Sequence, residues 1–112
     1  MVETDVKHLS DFSFGDLILG TKGFRLVNFY TASSPDCQKL GAVIQDMAPK
    51  FRKKIVVAKL DVEKNPAITA RYKVTSTPTL ILFKDGEEMD RINGFVTEEN
   101  LTVYLEQKLK EG

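Results

Sequence analysis

Val27-Asn28-Phe29-Tyr30-Thr31-Ala32-Ser33-Ser34-Pro35-Asp36-Cys37 is the stretch on which the fold turns. With Arg25 and Leu26 before it, its first part is a short apolar run rich in β formers, which suits a buried strand over 25–30. Ser34-Pro35 then signals a helix start. Serine is a good N-cap, and proline in the first helical position lacks only an N–H that would have had no partner. Beyond it Leu40, Val43, Ile44, Met47 and Phe51 fall at helical spacing and mark one apolar stripe. The stretch therefore predicts a strand leading into a long helix, with Cys37 in the helix's first turn.

Working outward, Lys-Ile-Val-Val-Ala-Lys-Leu over 54–60 and Thr-Leu-Ile-Leu-Phe over 79–83 are two more buried strands by the same argument. Lys84-Asp85-Gly86-Glu87 is an Asp-Gly hairpin turn into a strand over 88–95, and 5–9 adds an edge strand. Asn65-Pro66 repeats the cap-plus-proline signature and opens a short helix through Tyr72. Thr97 caps a last helix in which Leu101, Tyr104, Leu105 and Leu109 share a face. An earlier helix over 11–19 is closed by Gly20. The order β-α-β-α-β-α-β-β-α predicts an α/β fold with a central mixed sheet of four to five strands and helices on both faces. One domain over 1–112 accommodates all of it.

The composition agrees, with 42% hydrophobic and 29% charged residues, ordinary for a globular protein. Lys plus Arg equals Asp plus Glu, 16 against 16, so no charge excess favours a nucleic-acid or membrane-surface partner. A single cysteine excludes an internal disulfide scaffold. The start, Met1-Val2-Glu3-Thr4-Asp5, is acidic, with no apolar segment after it, and no apolar run is long enough to span a bilayer. A cytoplasmic protein is expected, although a form already stripped of a targeting peptide would read the same. Neither a metal nor another cofactor is expected.

In this order and at these separations, the stretch from Val27 to Cys37, Lys59-Leu60-Asp61-Val62, Ser76-Thr77-Pro78-Thr79, Phe83-Lys84-Asp85-Gly86 and Gly94 resemble the thioredoxin family over nearly the whole chain. The resemblance implies the thioredoxin fold and a thiol–disulfide redox site. In the family a nucleophilic cysteine stands at the helix N-terminus, where dipole and free N–H groups favour its thiolate, and a second cysteine one turn on resolves the mixed disulfide. Here the four motif positions read Ser34-Pro35-Asp36-Cys37, so the attacker's place carries a hydroxyl and the resolver's place keeps its sulfur. A serine hydroxyl is not ionised at neutral pH without a partnered base, and His8, the only histidine, lies on the N-terminal edge. Ser34 is expected to be a helix cap, and Cys37 a buried, quiet thiol with a raised pKa.

Other positions depart as well. The family's buried aspartate before the motif is Asn28, which titrates nothing. Lys59 matches the lysine beside that aspartate and is expected to keep its head in water. Asp36 replaces the usual proline, adding a charge that favours the helix and disfavours a neighbouring thiolate. The helix's usual mid-point proline is Ala42, while Pro49 should shorten or bend the last turn. Pro78 matches the family's cis-proline, so a cis Thr77–Pro78 bond is expected. The peptide groove implied by the resemblance is made here by Ser33, Thr77, Asn93 and Gly94, more polar than usual.

Three functions are open at this level. One is a thioredoxin-family redox protein whose dithiol turnover is impaired or absent at Ser34, including a Cys-to-Ser variant of a Cys-Pro-Asp-Cys parent. Another is a natural non-redox binding module or chaperone-type protein. The third is a monothiol protein using Cys37. The expected partner is a protein or peptide in extended conformation at the groove. The expected state is a monomer, with a Cys37-linked dimer as the alternative.

Overall fold

Five strands set the architecture. The structure, a computed structural model, describes residues 5–112. Strands β1 (Val6–Leu9), β2 (Phe24–Tyr30), β3 (Ile55–Asp61), β4 (Thr79–Lys84) and β5 (Glu87–Asn93) form one sheet in the order β1-β3-β2-β4-β5. β1 and β2 run parallel to β3, β4 runs antiparallel to β2, and β5 runs antiparallel to β4. Parallel neighbours need crossovers, and helix α1 (Pro35–Phe51) makes the one from β2 to β3. Helix α2 (Pro66–Arg71) follows β3, and α3 (Glu98–Glu111) closes the chain. This is the mixed sheet that the alternation of apolar runs and capped helices predicts.

The strand period of two divides the core. Leu26, Val57, Leu80 and Leu82 face α1 and α3, meeting Leu40, Ile44, Met47, Leu101 and Leu105. Val27, Phe29, Leu60, Ile81 and Phe83 face the other way, onto Phe14, Ile18 and Ile68. Central strands buried on both faces explain the unbroken apolar runs. The same alternation puts Asn28 and Lys59, paired in the β2–β3 register, on the α1 side of the sheet. There two polar residues interrupt an otherwise apolar layer.

Residues 11–19 differ from expectation. Instead of one regular helix the chain turns through 11–13 and makes a single π turn, Gly15–Leu19, closed by the Gly20 N–H on Gly15 O at 2.9 Å. Ser10 N–H donates to Ser13 Oγ at 2.9 Å and Ser13 N–H to Ser10 Oγ at 3.2 Å, a capping box that starts the turn, with the Phe14 N–H on Ser10 O at 3.0 Å. The wide turn then buries Phe14 and Ile18 completely.

The Asn65-Pro66 start also works differently. Asn65 makes no capping bond. Its side-chain N–H donates to Asp61 O at 3.0 Å, and its Oδ1 accepts from the Asp11 N–H at 2.9 Å. Asp11 is the cap: its carboxylate accepts from the Ala67 N–H at 3.2 Å and the Ile68 N–H at 3.0 Å. An anion on two free helical N–H groups is favourable twice over, by hydrogen bonding and by the dipole. Asp11→Ala is expected to cost about 1–2 kcal/mol, read as a lower urea midpoint with unchanged slope.

Pro49 lies inside α1, and the helix ends within one turn of it. The Arg52 N–H reaches Pro49 O at 3.5 Å and the Lys54 N–H donates to Phe51 O at 2.8 Å, a tightened end rather than a bend in the middle. The Asp85-Gly86 turn has φ of 52° and 86°, and a Cβ on Gly86 would lie 2.6 Å from Leu19 O, so glycine is required there for both conformation and space.

Candidate functional site

The site forms where β2 ends and α1 begins. Ser34 is extended (φ −80°, ψ 126°), Pro35 takes the first helical position, and the Ser34 Oγ accepts the Cys37 N–H at 3.3 Å. Ser34 O accepts the Gln38 N–H at 3.0 Å and starts the helical ladder. The hydroxyl at the attacker's position is therefore an N-cap, as the Ser-Pro pair predicts. Asp36 is exposed in the first turn.

Cys37 is 3% exposed, under that first turn. Its sulfur is not in an apolar pocket. The Thr31 N–H donates to Sγ at 3.5 Å, Thr31 Oγ1 lies 4.0 Å from it, and Thr31 Oγ1 is 3.5 Å from Thr77 Oγ1. Burial pushes the Cys37 thiol up, but the Thr31 N–H and the Ser34, Thr77 and Thr31 hydroxyls outweigh it and leave the pKa below the ordinary thiol value. The expectation of a raised pKa is thus corrected: the thiol is buried, as expected, but in a cradle of hydrogen-bond donors. Sequence reading named Ser34 and Thr77 and missed Thr31. The usable signal was its place between the strand end and the motif, where a backbone N–H has no ladder partner.

Beneath the sulfur lies a half-open pocket of about 220 Å³, lined by Asn28, Tyr30, Thr31, Cys37, Gly41 and Lys59, among others. Asn28 is 2% exposed, and its Oδ1 accepts no hydrogen bond from any described residue. An unmatched buried acceptor costs about 1–3 kcal/mol. Lys59 is half-buried, and its ammonium sits over the Tyr30 ring, 5.7 Å from the centroid.

Ser33 and Asn93 are exposed, and Thr77 and Gly94 are half-buried. The Thr77–Pro78 bond is cis, as expected. The Gly94 N–H donates to Pro78 O at 2.8 Å, tying the loop after β5 to the loop before β4. Gly94 has φ 89°, which only glycine adopts freely. The Asn93 Oδ1 lies 3.1 Å from Thr79 Oγ1, within hydrogen-bonding reach of its own sheet neighbour. The structure brings Cys37, Asn28 and Lys59 together around one pocket, and sets Ser34 and Thr77 against Cys37. Asp36 is not drawn into this cluster by any hydrogen bond or ion pair with a described residue.

A family model described as Thioredoxin matches residues 5–107. Among similar proteins, a thioredoxin of Staphylococcus saprophyticus is 38% identical over 101 residues, covering 90% of this chain and 95% of its own. A thioredoxin of Staphylococcus epidermidis is 40% identical over 87 residues, 78% of this chain and 84% of its own. One from Staphylococcus aureus is 39% identical over the same length and shares.

Proposed function

The chain belongs to the thioredoxin family of redox proteins, and on that premise we propose that it binds extended polypeptide at the family's groove without running a dithiol cycle. The observation that carries this reading is the use of Ser34. Its oxygen caps α1 through the Cys37 N–H, and the only cysteine lies behind it, 3% exposed. A disulfide reductase needs an exposed thiolate to attack and a second thiol to release the mixed disulfide. This chain has the second position without the first.

Among the described residues no base is hydrogen-bonded to the Ser34 hydroxyl. His8 sits on the edge strand, in register with Lys59, and Asn28 stands where a carboxylate would exchange protons with the Cys37 sulfur. The groove elements meanwhile keep their mutual ties, through the Gly94–Pro78 bond and the Thr31–Thr77 hydroxyl pair. The monomer is the working state, since a Cys37-linked dimer would require the first turn of α1 to open. Among the described residues no helix is long and apolar enough to cross a membrane. A reducing compartment, the cytoplasm, suits a chain with one free thiol.

The test is insulin reduction with dithiothreitol as donor. The chain is expected to leave insulin precipitating at the uncatalysed rate, and turnover above that background would overturn the reading.

A further inference from the structure

The loop from Tyr72 to Pro78 carries Thr77 to the groove, and both of its ends are tied to β5 or to the residue just past it. At one end the Gly94 N–H donates to Pro78 O at 2.8 Å. At the other the Arg91 Nη2 donates to Tyr72 O at 2.8 Å. Between the ties the chain leaves α2 through Lys73 at φ 54°, a left-handed conformation that costs a residue with a side chain. The Lys73 N–H on Ala70 O at 3.1 Å and the Val74 N–H on Thr69 O at 3.0 Å close that bend.

Arg91 can reach the loop because the sheet is irregular. Successive strand residues face opposite sides, so Glu88 and Arg91, three apart, would point away from each other in a regular β5. The register has Leu82 opposite Asp90 but Phe83 opposite Glu88, which leaves Met89 as an extra residue, a bulge that reverses the alternation. Glu88 and Arg91 thereby stand opposite Phe83 and Ile81, on the face where Tyr72 and Val74 pack. There the Glu88 carboxylate takes the guanidinium with both oxygens, Oε2 from Nε at 2.6 Å and Oε1 from Nη2 at 2.8 Å. A fork held in this way is fixed in direction as well as in place.

We propose that Arg91, oriented by Glu88, is a positioning residue for the peptide groove: it holds the loop so that Thr77 stands where an extended chain meets it. The inference deepens the preceding reading and rests on it. Thr77 Oγ1 lies 3.5 Å from Thr31 Oγ1, so the loop's place relative to the motif is already set before any peptide arrives. Without the clamp, ordering the loop becomes part of the cost of binding. An arginine that merely capped the end of α2 would act on stability and leave affinity alone.

The experiment titrates S-carboxymethylated insulin B chain, an extended polypeptide without free thiols, into the starting chain and into Arg91→Ala, Arg91→Lys and Glu88→Gln. Amide exchange and urea midpoints are read on each. Arg91→Ala is expected to weaken binding about tenfold, the scale of one hydrogen bond to a charged group. Arg91→Lys should lose most of the same factor, because an ammonium keeps the charge without the fork. In Arg91→Ala the amides of Lys73, Val74 and Gly94 should exchange faster, while those of β2 keep their protection. A lower urea midpoint with unchanged B-chain affinity makes Arg91 a cap for α2 and overturns the proposal. Loop amides that exchange as in the starting chain overturn it too. No binding by the starting chain sinks the preceding reading and this one with it, whereas binding that the variants match sinks this one alone.

Discussion

Ser34→Cys is expected to raise insulin-reduction turnover by roughly a hundredfold or more over the starting chain, the scale on which losing or regaining a nucleophile acts. The substitution puts sulfur at the N-terminus of α1, where the helix dipole and free N–H groups favour its thiolate. The partner is already in place, since Cys37 follows three residues on and its N–H already points at the side chain of residue 34. Weakening the serine cap costs about 1 kcal/mol, well within what a domain of this size tolerates. Asn28 bounds the gain, because no carboxylate beneath Cys37 can take its proton during release of the mixed disulfide. A two-substitution chain, Ser34→Cys with Asn28→Asp, should turn over faster than Ser34→Cys alone. A Ser34→Cys chain that folds, forms the 34–37 disulfide and still leaves insulin at background would show that the site has lost more than its nucleophile.

Phe83→Ala carries the largest expected effect on stability. Phe83 is fully buried and stands between two other rings, 5.6 Å from Phe14 and 5.2 Å from Tyr72, while Phe14 and Tyr72 are 5.5 Å apart. Removing the ring loses its transfer energy and leaves a cavity in a close-packed layer, about 3–5 kcal/mol for a phenylalanine. Two edge-on aromatic contacts are lost with it, about 0.5–1.5 kcal/mol each. Of a total stability of roughly 5–15 kcal/mol that is a large share. The melting temperature should fall by at least about 12 °C. A loss below about 1 kcal/mol would show that the layer collapses onto the gap.

Much of this architecture was legible because strand and helix signals agreed. The apolar runs around Leu26, Val57 and Ile81 are long enough to need two covered faces, and Ser34, Pro35 and Thr97 announce helices by chemistry that acts within one turn. What was missed acts across the chain. Nothing near Asn65 shows that Asp11 will cap its helix, and nothing in 11–19 announces that the turn after Phe14 widens to a π turn. At the site, the Ser34 cap was legible from the Ser-Pro pair, while the roles of the Cys37 position and of the polar pair Asn28–Lys59 came only through the family resemblance. The direction of the Cys37 shift was not legible, because it depends on where four donors converge. Three of those hydroxyls are ordinary surface chemistry in any sequence.

The distant cap of α2 bears on the order in which the chain can assemble. Asp11 meets the Ala67 and Ile68 amides across 56 and 57 positions of sequence, and a six-residue helix is far below the length that is stable alone. α2 is therefore a late product of folding, made only once β1 has docked on β3 and delivered the carboxylate. Its amides should exchange with solvent as one group with those of β1, and lose protection together whenever that edge of the sheet opens.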